Sequence, residues 1–218
     1  MRTSSIRCVL VLVCLFGSIV AAQEPWQNTF DEDRADQLPS GFTLATMRQS
    51  HAGRWFVHRP ATEGCLAHQA DAKASGYSLA IADHQAPRDI SVSVRMHATG
   101  GARAGGLVWR YQNDQNFYAL LLDLPHAEVA VYRISSGNRV RLDVDDGLEL
   151  DPGAWHTLKV THADSSLRVM LGGIRVFEEQ DRRYDNRSSP AGRVGVVATG
   201  DSDVCFDDLT VDIRRSRR

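Results

Sequence analysis

Apolar residues recur along this chain in short runs, separated by Gly, Asn, Asp and Pro, while long stretches with helical 3.6-residue spacing are almost absent. Alternation with a period of two predicts strands rather than helices. The pattern predicts strands over Gly41–Met47, Arg54–Val57, Tyr77–Ile81, Ile90–His97, Gly106–Tyr111, Phe117–Leu124 and Val129–Ile134. It continues with Val140–Val144, Trp155–Thr161, Leu167–Leu171, Arg175–Glu178, Val194–Thr199 and Val204–Ile213. Evenly spaced strands with turn residues between them predict an all-β sandwich or barrel.

The turns are readable as well. Ser136-Gly137-Asn138 and Gly172-Gly173 each separate two strand-like runs and suit hairpins, where Gly or Asn accepts positive φ. Asn113-Asp114-Gln115 joins two further strands, and Asp151-Pro152-Gly153 leads into Trp155. Strand faces follow from the alternation. Val92, Val94 and Met96 point one way, while Ser91, Ser93, Arg95 and His97 point the other, giving one wet face. Leu158 and Val160 form an inward pair. Tyr118, Leu120 and Leu122 share one face; Phe117, Ala119, Leu121 and Asp123 share the other. Two largely apolar faces are expected of a strand central in a two-sheet sandwich.

The N-terminus breaks the pattern. Arg2 and Arg7 precede a 12-residue apolar run, Val9 to Val20, and Val20-Ala21-Ala22 offers small residues for cleavage. This predicts a secretory signal peptide over residues 1–22; twelve residues are too few to cross about 30 Å of hydrocarbon. Removing 22 residues from 218 leaves 196, enough for one sizeable domain, expected over residues 23–213. The formal charge moves from −2 to about −4 with the loss of Arg2 and Arg7, so no basic field recruits nucleic acid. Apolar residues at 43% and charged residues at 24% suit a soluble globular chain, and no later segment is long and apolar enough to span a membrane. A monomer exported to the periplasm or beyond is expected. The stretch Gln180–Pro190 reads as an exposed polar loop, and Arg214 to Arg218 as a solvated basic tail.

Export changes how the cysteines read. Cys8 and Cys14 leave with the leader, so Cys65 and Cys205 remain in an oxidising compartment. A Cys65–Cys205 disulfide is the preferred reading, with two separate buried thiols as the alternative. The bridge would close a loop of about 140 residues, worth roughly 5 kcal/mol at the upper end of the chain-entropy model.

Several motifs then occur in an order that resembles a known family. Near the start of the expected mature chain stands Asn28-Thr29-Phe30-Asp31; Arg54-Trp55-Phe56-Val57 is followed by Cys65-Leu66. The run from Ala104 to Tyr111 (AGGLVWRY) is followed by Asn116-Phe117-Tyr118. Then come Gly153 to Val160 (GAWHTLKV), Ala191 to Val196 (AGRVGV) and Phe206 to Val211 (FDDLTV). Together these resemble the concanavalin A-like lectin/glucanase jelly roll. More narrowly, they are similar to the laminin-G-like domains of bacterial exported proteins and their relative, the 3-keto-disaccharide hydrolase domain. The resemblance covers about Asn28 to Ile213 and implies an antiparallel two-sheet jelly-roll sandwich. That family hosts lectins, glycosidases and binding modules, so activity must be argued from a site. The hydrolase pattern tends to carry an Asn-Ser-Gly step in the central strand and a Tyr-Glu pair in the next. Here the strands read Gly105 to Arg110 and Phe117 to Leu120, and only Arg110 carries over.

Direct signals for catalysis are sparse. Glu-x-Asp-x-Glu, which would set two carboxylates on one strand face for glycoside cleavage, does not occur. A Gly-x-Ser-x-Gly nucleophile elbow is missing, and the eight histidines lack zinc-ligand spacing. One structural calcium ion, which the resemblance implies for many jelly rolls, could be held by Asp31, Asp207 and Asp208 if the first and last strands pair; edge-strand charge is the alternative. Sugar binding needs aromatic faces with polar groups beside them. Trp109, Tyr111, Phe117, Tyr118, Tyr132 and Trp155 cluster in the middle of the chain, and most are expected in the core. Arg110 alternates with Trp109 and Tyr111 and so should face the other way. With Asp123 and Arg133 on neighbouring strands it would line a polar groove, or else form a salt-bridge cluster on a wet face. The expected function is an exported, non-catalytic module binding carbohydrate or another cell-envelope ligand. The alternatives are a glycoside hydrolase acting on a keto-disaccharide or glucan, and a structural or adhesive domain with a protein partner.

Overall fold

The alternating segments do form strands. The structure is a computed structural model that describes residues 25–47, 53–71, 73, 76–180 and 191–213. The expected leader, the polar stretch before Ala191 and the basic tail lie outside the described residues. In chain order the strands are β1 (Trp26–Asn28), β2 (Phe42–Met47), β3 (Arg54–His58), β4 (Cys65–Gln69) and β5 (Tyr77–Ala86). Next come β6 (Ile90–Gly101), β7 (Ala104–Asn113), β8 (Asn116–Asp123), β9 (Glu128–Ser135) and β10 (Asn138–Asp145). The last are β11 (His156–Ala163), β12 (Ser166–Leu171), β13 (Ile174–Gln180), β14 (Gly192–Thr199) and β15 (Ser202–Ile213). The all-β expectation holds. One strand, β4, lies where no strand was expected; β1 overlaps the start of the Asn28–Asp31 step that resembles an opening strand, and β5, β6 and β7 run longer than the apolar pattern suggested.

The strands build two antiparallel sheets. One has eight strands in the order β13-β12-β11-β6-β15-β4-β3, with β1 also pairing to β15. The other has seven, in the order β10-β9-β8-β7-β14-β5-β2. Their inner faces meet in one core. Val92, Val94, Met96, Leu158 and Val160 come from one sheet; Leu107, Tyr118, Leu120 and Leu122 come from the other, all in the phase that alternation predicts. Each fully buried Leu or Val of this layer contributes about 1.5–3 kcal/mol by leaving water.

Local chemistry fixes the register. Ser136 and Gly137 take φ of 50° and 75° between β9 and β10, and Gly172 and Gly173 take 58° and 84° between β12 and β13. Such paired positive φ values match the right-handed twist of the flanking strands. In β7 a Cβ on Gly106 would sit 1.9 Å from the Leu120 carbonyl oxygen of β8, so only glycine fits that close approach. Cys65 in β4 and Cys205 in β15 form a disulfide across neighbouring strands, with Cα atoms 5.7 Å apart, within the usual range for a bridge. The bridge packs with Ala67 and Phe56 on the outer face of the eight-stranded sheet.

Candidate functional site

A bulge in β7 decides which side chains face outward. β14 pairs Arg193 with Tyr111 and Gly195 with Val108, so two residues of β7, Trp109 and Arg110, stand opposite Val194 alone. Arg110 takes up the extra residue with φ of 50°. An inserted residue breaks the alternation of faces. Trp109 and Arg110 therefore both point inward, and Tyr111 returns to the outside. Close approach at the bulge requires Gly192, where a Cβ would sit 2.6 Å from the Arg110 carbonyl carbon.

The expected groove of Arg110, Asp123 and Arg133 does not form on one face. Arg110 is 3% exposed. Its Nε and Nη2 donate to the Arg88 carbonyl at 3.0 and 2.8 Å, and its Nη1 lies 3.1 Å from His162 Nε2. The guanidinium also lies over the Tyr118 ring at 5.8 Å. Arg133 pairs with Tyr118 across β8 and β9 and so shares that inner face. Asp123 belongs to the outer set of β8 and pairs with His126 at 2.9 Å in the following turn. Burial, and then the Arg110 guanidinium, push the His162 imidazole down to about 2, so it stays neutral; Trp109 Nε1 donates to its Nδ1 at 3.0 Å.

The three acids considered for calcium lie near one another, yet they do not make a cation cage. Asp31 Oδ1 accepts the Gly64 N–H at 2.7 Å, and this bond leads in holding its carboxyl below the usual range. Asp207 and Asp208 straddle the Arg95 guanidinium, with Nη1 at 3.4 and 3.2 Å from their Oδ2 atoms. Arg95 thus already supplies the positive charge. Burial, helped by the neighbouring Asp208 and Asp31 charges, raises Asp207 to about 6. Among the described residues no group of three or more His, Cys, Asp or Glu side chains is placed to hold a metal ion.

The strongest site lies on the outer face of the seven-stranded sheet. Its centre is apolar: Leu79, Ile81, Val108, Phe117, Tyr132 and Ile134 belong to a second cluster drawn wholly from that sheet. Beside the cluster Arg139 lies over the rings of Tyr132 and Tyr77, at 4.6 and 5.4 Å. Along β5 the outward residues then change from Leu79 and Ile81 to Asp83 and Gln85. Gln85, Arg193 and Tyr111 stand side by side across β5, β14 and β7. Together with Asp83 and Gln112 they line a pocket of about 370 Å³. The Arg193 guanidinium lies 5.3 Å from the Tyr111 ring centre, and its Nη1 donates to Thr43 Oγ1 at 3.3 Å. Gln112 Nε2 donates to the Ala191 carbonyl. Partial burial pushes the Tyr111 phenol up, so it remains a neutral donor and acceptor at physiological pH.

The pocket offers carboxylate and amide oxygens, amide and guanidinium N–H groups, a phenol and an aromatic edge around one concavity. Such a set can hydrogen-bond several vicinal hydroxyls. Of these residues only Tyr111 stood out in the sequence. Asp83 and Gln85 follow Ile81 with the same alternation, and continuing that phase would have placed them outward.

No family model matches the chain, and no curated protein matches it by sequence. Solved structures match its fold. The carbohydrate binding module CBM66 from Bacillus subtilis superposes with a TM-score of 0.64 at 16% identity, over 83% of this chain and 99% of that one. A Bacillus subtilis protein with a galectin-like fold gives 0.62 at 11% identity, over 89% and 99%. A β-1,3-glucanase from Mycobacterium marinum gives 0.58 at 12%, over 85% and 97%. At these identities the likeness is one of fold: the chain is an antiparallel two-sheet jelly roll of the concanavalin A-like and galectin-like kind.

Proposed function

We propose that this chain is an exported carbohydrate-binding domain that receives a sugar in the pocket of Asp83, Gln85, Tyr111, Gln112 and Arg193. One observation carries the reading. Five side chains from three adjacent strands converge on a 370 Å³ concavity, and their polar groups complement hydroxyls rather than a single charge. Binding without hydrolysis is favoured by the lining: Asp83 is its one carboxylate among the described residues, whereas glycoside cleavage generally uses two. This weighs against a 3-keto-disaccharide hydrolase or glucanase reading, although the fold neighbours include both a binding module and a glucanase. Export is supported by the apolar run Val9 to Val20 and by the disulfide, which persists in oxidising compartments.

The test is calorimetric titration of the mature protein with a panel of neutral oligosaccharides, alongside an assay for released reducing ends. Binding with Kd between about 1 μM and 1 mM, weakened roughly tenfold or more by Arg193→Ala, is expected. No binding across the panel overturns the reading. Turnover abolished by Asp83→Asn would make the protein a hydrolase instead.

A further inference from the structure

The opposite side of the sandwich carries a second aromatic site, which the pocket does not explain. Trp155 precedes β11 and is 39% exposed, in contrast to Trp55 and Trp109, which are 4% and 0% exposed. Its ring is set in place from the neighbouring strand β6. His97 stacks against it, with ring centres 5.3 Å apart and planes inclined by 29°. The Arg95 guanidinium lies 4.8 Å from its centre. Both supports are themselves fixed. His97 Nε2 lies 3.2 Å from the Gly153 carbonyl oxygen, and Arg95 bonds to Asp207 and Asp208 on β15. Gln27 Nε2 donates to Asp208 Oδ1 at 3.2 Å.

An indole held this way loses little freedom when a ligand settles on it, which removes one cost of binding. Open polar groups flank it: the Arg95 and Asp208 side chains keep 40% and 38% of their surface. A flat, immobile indole beside a guanidinium and a carboxylate matches a sugar ring, whose C–H face stacks while its hydroxyls accept and donate hydrogen bonds. The indole lies on the outer face of the eight-stranded sheet, and the pocket lies on the outer face of the seven-stranded sheet. We propose that Trp155, with Arg95 and Asp208, forms a second, independent sugar-binding surface, so that one domain engages a polysaccharide at two separated points. Linked weak contacts of this kind raise retention on a polymer well beyond either affinity.

The test follows the four tryptophan indole N–H signals by ¹⁵N NMR while cellotriose, laminaritriose, xylotriose and arabinotriose are added separately to about 10 mM, a range that detects millimolar binding. The signal lost in Trp155→Phe identifies the indole. Trp55 and Trp109 serve as internal references, since their N–H groups are bonded to Ser78 and His162 in the core. A saturable shift of the Trp155 signal with at least one trisaccharide, unchanged in Arg193→Ala, is the expected result. A Trp155 signal that stays still with all four overturns the second surface. Shifts at the Tyr111 and Gln112 amides in that same experiment would leave the pocket standing. Movement at Trp155 with silence at Tyr111 and Gln112 would do the reverse.

Discussion

Arg110 and His162 meet between the two sheets, the guanidinium Nη1 of one 3.1 Å from Nε2 of the other. The same arginine holds the Arg88 carbonyl with two hydrogen bonds and so ties the β5–β6 turn to β7. Its role is to anchor the bulge that turns Tyr111 outward. Arg110→Ala leaves that carbonyl without its donors and removes the group packed against the imidazole. A loss of roughly 2–4 kcal/mol is expected, read as a lower urea midpoint with an unchanged slope. A midpoint equal to the parent's would refute the anchoring role.

Acid should destabilise the fold through His162. The folded imidazole titrates at about 2, against 6.5 for an ordinary histidine, because burial and Arg110 both disfavour its charged form. Its contribution is complete above pH 6.5 and is lost progressively as pH falls toward 2, at about 1.4 kcal/mol per pH unit. Burial moves His68 in the same direction. Urea titrations at several pH values should show this slope below pH 6.5, and His162→Gln should flatten it. An equally steep decline in the variant would assign the acid sensitivity elsewhere.

Asp207 works against that trend. Its folded carboxyl titrates at about 6 rather than 3.8, chiefly through burial. The fold therefore binds this proton more tightly than the unfolded chain does. The resulting stabilisation develops as pH falls from 6 toward 3.8 and disappears as pH rises through 6. Asp207→Asn removes the compensation, so its stability should drop more steeply than the parent's between pH 6 and 4. Parallel pH curves for the two proteins would exclude the effect.

Breaking the cross-strand bridge should be costly. Cys65→Ala with Cys205→Ala releases a constraint across 140 residues of sequence and should lower stability by about 2–5 kcal/mol. Intact-mass measurement after alkylation without reduction should find neither Cys65 nor Cys205 modified in the parent protein. Alkylation of both in the folded protein would mean the bridge does not form in solution.

Much of the sandwich was legible from alternation, because most strands bury one face and wet the other. Val92, Val94 and Met96 are the plain case, with Ser93, Arg95 and His97 pointing away. Legibility failed where that rule lapses. Four of the five residues of β4, Cys65 to His68, are buried on both faces, so Cys-Leu-Ala-His carries no alternating signature. The apolar signature of β5 ends at Ile81, since Asp83 and Gln85 resemble a loop until a pocket gives them a reason to face water. The groove expected around Arg110 failed for two causes: the register of β8 and β9 sets Arg133 opposite inward Tyr118 while Asp123 faces out, and a single inserted residue at positive φ turned Arg110 itself inward. A bulge of this kind depends on the partner strand, here on Gly192 and Val194, and leaves no mark in β7 itself.

The place of β15 bears on how the protein is made. This strand follows all its partners in the sequence, yet it sits inside the eight-stranded sheet, with β6 along one edge and β4 and β1 along the other. A chain made from its N-terminus delivers β6, β4 and β1 long before the strand that joins them. Until β15 arrives, Cys65 lacks its partner and three unsatisfied strand edges face one another across a gap. Assembly of that sheet must therefore wait for the last strand to be made, and the waiting half-sheet is the aggregation-prone species that must stay shielded until then.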